Sequence, residues 1–195
     1  MFNSLGSLDV LRDAVAVDLF AGSGALGIEA LSRGAAHVIF ADVARRSIDA
    51  VRANLAATDL DAAATVIRRD AFDVLADGAE LFAGGVDLVL ADPPYAFDRW
   101  GELLVALEPF LAGDAVVAAE SDRSLEGDLA GDGDGVSGLV GWSILRERRY
   151  GDTVVSMLTF DRSSTIDRDR CRAADMDRDM DRDRDMDRDM DRDGS

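Results

Sequence analysis

The chain contains no lysine, a single cysteine and a single histidine, and all 21 of its basic residues are arginine. The absence of lysine fits a biased genome or a salt-adapted surface as readily as a function. Cys171 has no second cysteine to pair with, which excludes a disulfide within the chain and argues against a cysteine-based metal site. His37 stands in an Ala-Ala-His-Val setting with no evident partner to make it a base, and reads as a packing or surface residue. No run of 18 apolar residues occurs, which speaks against a membrane-spanning helix. Met1 is followed by no basic region and apolar block of the secretory kind, so a cytoplasmic location is expected.

Positive charge is also scarce. The formal net charge is −18; residues 161–195 hold 13 Asp and nine Arg, net −4, which leaves −14 on residues 1–160. Phosphate contacts supply much of the affinity of nucleic-acid-binding proteins, so composition alone argues against such a partner. It does not forbid a local arginine patch. With 195 residues the chain is long enough for one ordinary domain with a real core.

Within that length, apolar strand-like runs alternate with helical patterns. AVAVDLF (14–20), HVIFAD (37–42), ATVIRRD (64–70), VDLVLA (86–91) and AVVAAES (115–121) read as strands. Helices are predicted from the glycine-rich segment to about Arg33, over 43–59, over AFDVLADGAELF (71–82) and over 99–112. In the second of these, Ile48, Val51 and Leu55 recur at helical spacing, which gives it one face to lay on a sheet. Strands that are apolar throughout, and separated by helices, predict an α/β fold with a parallel sheet covered on both faces. Residues 126–141, rich in glycine and acid, read as a loop, and 142–160 as two strands joined at Gly151 in a closing antiparallel hairpin. The DMDR and DRD repeats beyond Phe160 lack an apolar face, so 161–195 is expected to be a disordered low-complexity tail.

Two segments carry chemistry. Gly22, Gly24 and Gly27 complete a GxGxxG pattern between a strand and a helix, where backbone can approach a ligand and free helix amides can meet polar atoms. Asp42 ends the next strand, in position to bond a ribose hydroxyl pair. This much describes a nicotinamide dinucleotide site almost as well as an S-adenosylmethionine site. Asp18, near the end of the first strand, favours the second: a pyrophosphate gains nothing from a neighbouring acid, whereas the cationic end of a methionine moiety does. Asp18 could equally order the loop by capping backbone amides. Asp70, before Ala71 at the head of a helix, is either an acceptor for an adenine amino group or an ordinary N-cap.

The second segment is ADPPYAF (91–97). An exocyclic amino group on a base or amide is a weak nucleophile because its lone pair is delocalised. Attack on a sulfonium methyl needs that nitrogen held in line, with acceptors for its hydrogens. Asp92 offers a carboxylate and Pro93 a carbonyl; Pro93 and Pro94 stiffen the turn, and Tyr95 can stack on a planar substrate. Phe97 could extend that wall and Arg99 could reach phosphate, although helix-start packing and solvated surface are the commoner roles. The donor is already activated, so no metal is needed.

DLFAGSGALGIEALSRGA, the strand-ending Asp42, ADPPYAF and RRYGDTVV, in that order, resemble the bacterial 16S rRNA guanine-N2 methyltransferase family over about residues 2–160. The resemblance implies a Rossmann-like class I methyltransferase with a mostly parallel seven-stranded sheet and an antiparallel last strand, here 153–160. It implies S-adenosylmethionine as donor, S-adenosylhomocysteine as product, and methylation of a guanine N2 in 16S rRNA, in a partly assembled 30S particle, by a monomer. Asp18, Phe20, Gly22, Gly24, Asp42, Asp70 and Ala71 fall at the donor-site positions, and Asp92, Pro93, Pro94 and Tyr95 at the catalytic turn. The family usually begins with a basic hairpin and an Arg-Pro-Thr segment, and usually carries Glu where this chain has Asp42. The sequence starts inside the helix that follows, so an N-terminally truncated domain is expected. DNA adenine or protein glutamine methylation, and a catalytically impaired nucleotide- or RNA-binding module, are the alternatives.

Overall fold

The computed structural model describes residues 1–2, 5, 9–95, 97–130 and 139–164. The chain divides after Phe160. Beyond Ser164 the expected disordered tail lies outside the described residues.

Seven strands form one sheet: β1 (Val15–Asp18), β2 (His37–Ala41), β3 (Ala64–Ile67), β4 (Val86–Ala91), β5 (Leu111–Ser121), β6 (Trp142–Tyr150) and β7 (Thr153–Phe160). Their order is β3-β2-β1-β4-β5-β7-β6. The first five run parallel, and β7 pairs antiparallel with both β5 and β6. This is the Rossmann-like α/β fold expected from the sequence.

The helices between the strands are α1 (Ala25–Ser32), α2 (Arg45–Ala57), α3 (Ala71–Ala76), α4 (Trp100–Leu107) and α5 (Glu126–Ala130). Parallel strands need crossovers, and these helices bury both sheet faces, which is why β1, β2 and β4 carry almost no polar side chain. On one face, Trp100, Leu103, Leu104 and Leu107 of α4 form an unbroken apolar stripe against Val17, Val89 and Val117. Each such buried side chain contributes about 1.5–3 kcal/mol. On the other face, Val51 and Leu55 of α2 join Phe40, Leu88 and Leu90.

Boundaries moved where local packing outweighed pattern. The helix predicted over 71–82 stops at Ala76, because Phe82 folds back under Gly78, where a Cβ would lie 2.5 Å from its ring. β5 starts at Leu111, earlier than predicted, across a register shift opposite Val86 and Leu88 that leaves Gly113 and Asp114 exposed. Part of the predicted loop 126–141 is helical, as α5; residues 131–138 lie outside the described ones.

Strand order reverses at β1, which sits between β2 and β4. In open α/β sheets this switch point is where the carboxyl ends of strands leave a crevice. Here it collects Asp18, at the end of β1, with Asp42 just past β2 and Asp92 just past β4.

Candidate functional site

The glycine loop is held by two of these acids. Asp42 accepts the Gly22 N–H at 2.9 Å through Oδ2 and the Ala44 N–H at 2.7 Å through Oδ1. It therefore ties the loop after β1 to the turn after β2. Asp18, only 1% exposed, accepts the Gly27 N–H at 2.9 Å. Of the two roles considered for Asp18, ordering the loop is the one with a bond in the structure. Burial pushes its carboxyl up to about 7, and the nearby Asp92 and Asp42 add to the rise against the opposing Gly27 bond.

The loop itself is strained where it must turn. Phe20 has φ 104°, a conformation uncommon outside glycine, and its N–H and that of Ala21 both donate to the Ala41 carbonyl. Gly24 caps α1 in the left-handed region at φ 79°. Gly27 is required for another reason: a Cβ there would sit 2.3 Å from the Phe40 ring, so its absence lets α1 lie directly on β2. By contrast, a Cβ at Gly22 would meet nothing nearer than 3.9 Å, which leaves that side of the loop open.

Asp70 is the N-cap of α3, its Oδ1 accepting the Phe72 N–H at 2.9 Å, and Ala71 is buried behind it. The N-cap reading therefore has its bond, and the second carboxylate oxygen is the part of Asp70 left for any other role.

Asp92, Pro93, Pro94 and Tyr95 line a cavity of about 220 Å³ together with Phe97, Trp100, Glu120, Ser121, Asp122, Asp152 and Thr153. Pro93 is buried, whereas Tyr95 is 84% exposed and projects from the turn. Asp92 reaches solvent at the mouth, yet the surrounding protein desolvates it enough to raise its carboxyl above the usual range. Phe97 serves the core side of this wall: it packs edge-on against Phe20 at 5.5 Å and Trp100 at 5.2 Å, and alongside Phe72 at 6.5 Å. The same aromatic cluster thus joins the glycine loop to the proline turn. Arg99 lies over the Phe72 ring at 3.8 Å and pairs with Glu102 at 2.6 Å, which commits it to packing. His37 bonds Thr65 across neighbouring strands at 2.9 Å, in keeping with a packing role.

Glu120, Ser121, Asp122, Asp152 and Thr153 were not anticipated from the sequence. They come from the end of β5 and the β6–β7 turn; Asp152 and Thr153 belong to the RRYGDTVV segment noted above, but its spacing does not connect them to the proline turn. The placement of β7 beside β5 is what brings them in.

A family model described as "Conserved hypothetical protein 95" matches residues 1–159. The chain is similar to "Putative rRNA methyltransferase YlbH" of Bacillus subtilis, with 40% identity over 139 residues, 68% of this chain and 75% of that protein. It is 36% identical over 124 residues to "Ribosomal RNA small subunit methyltransferase D" of Escherichia coli K12, and spans 59% of that protein's length. Among solved structures, "Putative methyltransferase yhhF from Escherichia coli" superposes with TM-score 0.65 and 30% identity, covering 82% of each chain.

Proposed function

The chain belongs to the family described as conserved hypothetical protein 95, whose relatives here carry methyltransferase names, and on that premise we propose that it is a class I S-adenosylmethionine-dependent methyltransferase that methylates the exocyclic N2 of a guanine in 16S rRNA. The observation that carries the reading is the meeting of the two motifs: an acid-braced glycine loop and an acid-tipped proline turn end adjacent strands, joined through Phe20 and Phe97. Two motifs 70 residues apart in the sequence thus end side by side, and the cavity is lined from the proline-turn side.

The donor fits the residues present. Gly22 leaves an open approach to the loop, Phe20 holds its turn, and the Asp42 carboxylate, each oxygen of which already accepts one loop amide, would receive ribose hydroxyls through its remaining lone pairs. Gly24, Asp70 and Ala71 complete the expected donor neighbourhood. When bound, the donor supplies a methyl group whose bond to sulfur breaks as the bond to N2 forms, the electron pair staying on sulfur and one N2 proton passing to Asp92 and then water. The chain's own work is to hold the acceptor. Asp92 and the Pro93 carbonyl take the two amino hydrogens, drawing the lone pair out of the ring system, while Tyr95 covers the flat face of the base. Stiffness of the Pro93–Pro94 turn keeps these acceptors in place during transfer.

An RNA partner must be held despite the acidic body. On edge strand β6, Arg148 and Arg149 are exposed and form no ion pair among the described residues, and the strand leads into the turn whose Asp152 and Thr153 line the cavity. Among the described residues, no helix is long and apolar enough to cross a membrane.

The test is methyl transfer to naked 16S rRNA and to partly assembled 30S particles, with calorimetry against S-adenosylhomocysteine. Asp92→Ala is expected to bind the product of the donor as wild type does and to lose turnover by about 10²-fold or more, the scale of a positioned acceptor. Retained turnover would remove Asp92 from the role given to it. Absence of S-adenosylhomocysteine binding by the wild-type chain would sink the methyltransferase reading.

A further inference from the structure

The cavity beside the proline turn is an unusual receptacle for a substrate that carries phosphates. The charged residues of its wall are all acids, Asp92, Glu120, Asp122 and Asp152, with the neutral hydroxyls of Tyr95, Ser121 and Thr153 among them. Carboxylates repel a phosphate, so whatever enters must lead with hydrogen-bond donors. Glu120 is the member most firmly built in. It lies at the end of β5, the strand paired directly with β4, whose own end delivers Asp92. It is partly buried, and desolvation followed by repulsion from Asp92 raises its carboxyl above the ordinary range, so the two acids sense one another.

A second observation comes from the opposite kind of group. Trp100, fully buried, forms part of the same wall, and its indole N–H is without a hydrogen-bond partner among the described residues. A buried donor left unmet costs about 1–3 kcal/mol. The cavity itself therefore presents two neighbouring acceptors, while the unmet indole N–H lies within the protein with no exposed surface.

Guanine presents the complement along a single edge: two donors in succession, N2–H and N1–H, followed by the acceptor O6. Adenine and cytosine place an acceptor nitrogen beside their amino group, which would face a carboxylate with a lone pair. We propose that Glu120 receives the N1–H of the guanine whose N2 amino group meets Asp92, and thereby selects guanine over other amino-bearing bases. This rests on the guanine-N2 reading above and assigns that site its specificity residue.

The experiment pairs Glu120→Gln with 2,6-diaminopurine, a base that keeps the 2-amino group but replaces N1–H with a lone pair and O6 with an amino group. The position in 16S rRNA that the wild-type chain methylates is first mapped, and the RNA is then rebuilt by ligation with guanine or 2,6-diaminopurine at that position. Wild type is expected to prefer guanine by about 10²-fold or more in kcat/KM, since a site built to bond a hydrogen rejects a base that lacks it. Glu120→Gln, which can turn an amide N–H toward the lone pair and keeps only a neutral acceptor for N1–H, is expected to lose about tenfold on guanine and to narrow the preference at least about tenfold. Its affinity for S-adenosylhomocysteine is expected to match wild type, which separates recognition from damage to the fold. An unchanged preference in Glu120→Gln, or loss of S-adenosylhomocysteine binding along with activity, would overturn the assignment while leaving the enzyme reading intact. If wild type methylates no guanine in either rRNA form, the underlying reading fails and this one with it.

Discussion

Asp18→Asn separates the burial of a charge from everything else in the crevice. Asp18 is 1% exposed, and its carboxyl is pushed from an ordinary 3.8 to about 7. Below the unfolded value both states hold the proton and the group has no effect on stability. Between the two values the folded chain holds a proton that the unfolded chain has released, so stability falls as pH rises. Above the folded value the loss is complete, and a gap from 3.8 to about 7, at 1.36 kcal/mol for each tenfold change in proton affinity, amounts to about 4 kcal/mol. Asparagine has the same shape, keeps an oxygen for the Gly27 N–H and does not titrate. Its amide hydrogens lack partners equally at every pH, so the change in the variant-minus-wild-type difference between about pH 4 and about pH 8 isolates the ionisation. That difference is expected to shift in favour of the variant by up to about 4 kcal/mol, or about 8–16 °C in melting temperature for a domain of this size. Thermal and urea unfolding of both proteins across the pH range measures it. A difference that stays constant with pH, or moves in favour of wild type as pH rises, would refute the account of Asp18 as a buried carboxylate that resists ionisation.

Two further substitutions test the loop. Asp42→Ala removes the acceptor of both the Gly22 and Ala44 amides, so binding of S-adenosylhomocysteine is expected to weaken by at least about tenfold, with faster hydrogen exchange at those two amides. Protection at Gly22 equal to wild type would show that Asp42 does not brace the loop. Gly27→Ala places a methyl 2.3 Å from the Phe40 ring and is expected to destabilise the domain by about 1–3 kcal/mol, read from urea melts. A neutral result would mean that α1 can lift off β2 at little cost.

Much of this molecule is written in local pattern. Ile48, Val51 and Leu55 sit at the spacing a helix needs to bury one face, and all three are buried. VDLVLA (86–91) is apolar without alternation because β4 is covered on both sides, and it forms the strand its sequence predicts. The glycine loop and the proline turn are likewise legible, since left-handed turns and rigid strand ends leave few choices of residue. Where helices end was harder to read, because Phe82 closing under Gly78 is a contact rather than a propensity.

Local pattern along the chain carries the class of fold, the seven strands with their closing antiparallel hairpin, and two chemical segments. What those segments share follows from how the strands are ordered in the sheet. Periodicity says which face of a strand is buried, but not which strand lies beside it. Placing β1 between β2 and β4 buries Asp18 at the centre of the sheet with Asp92 and Asp42 nearby, and burial first, then those two charges, pushes its carboxyl up to about 7. Placing β7 against β5 sets Thr153 and Asp152 beside Glu120 and Asp92. No spacing in the chain encodes that wall, because its parts meet only when the sheet closes.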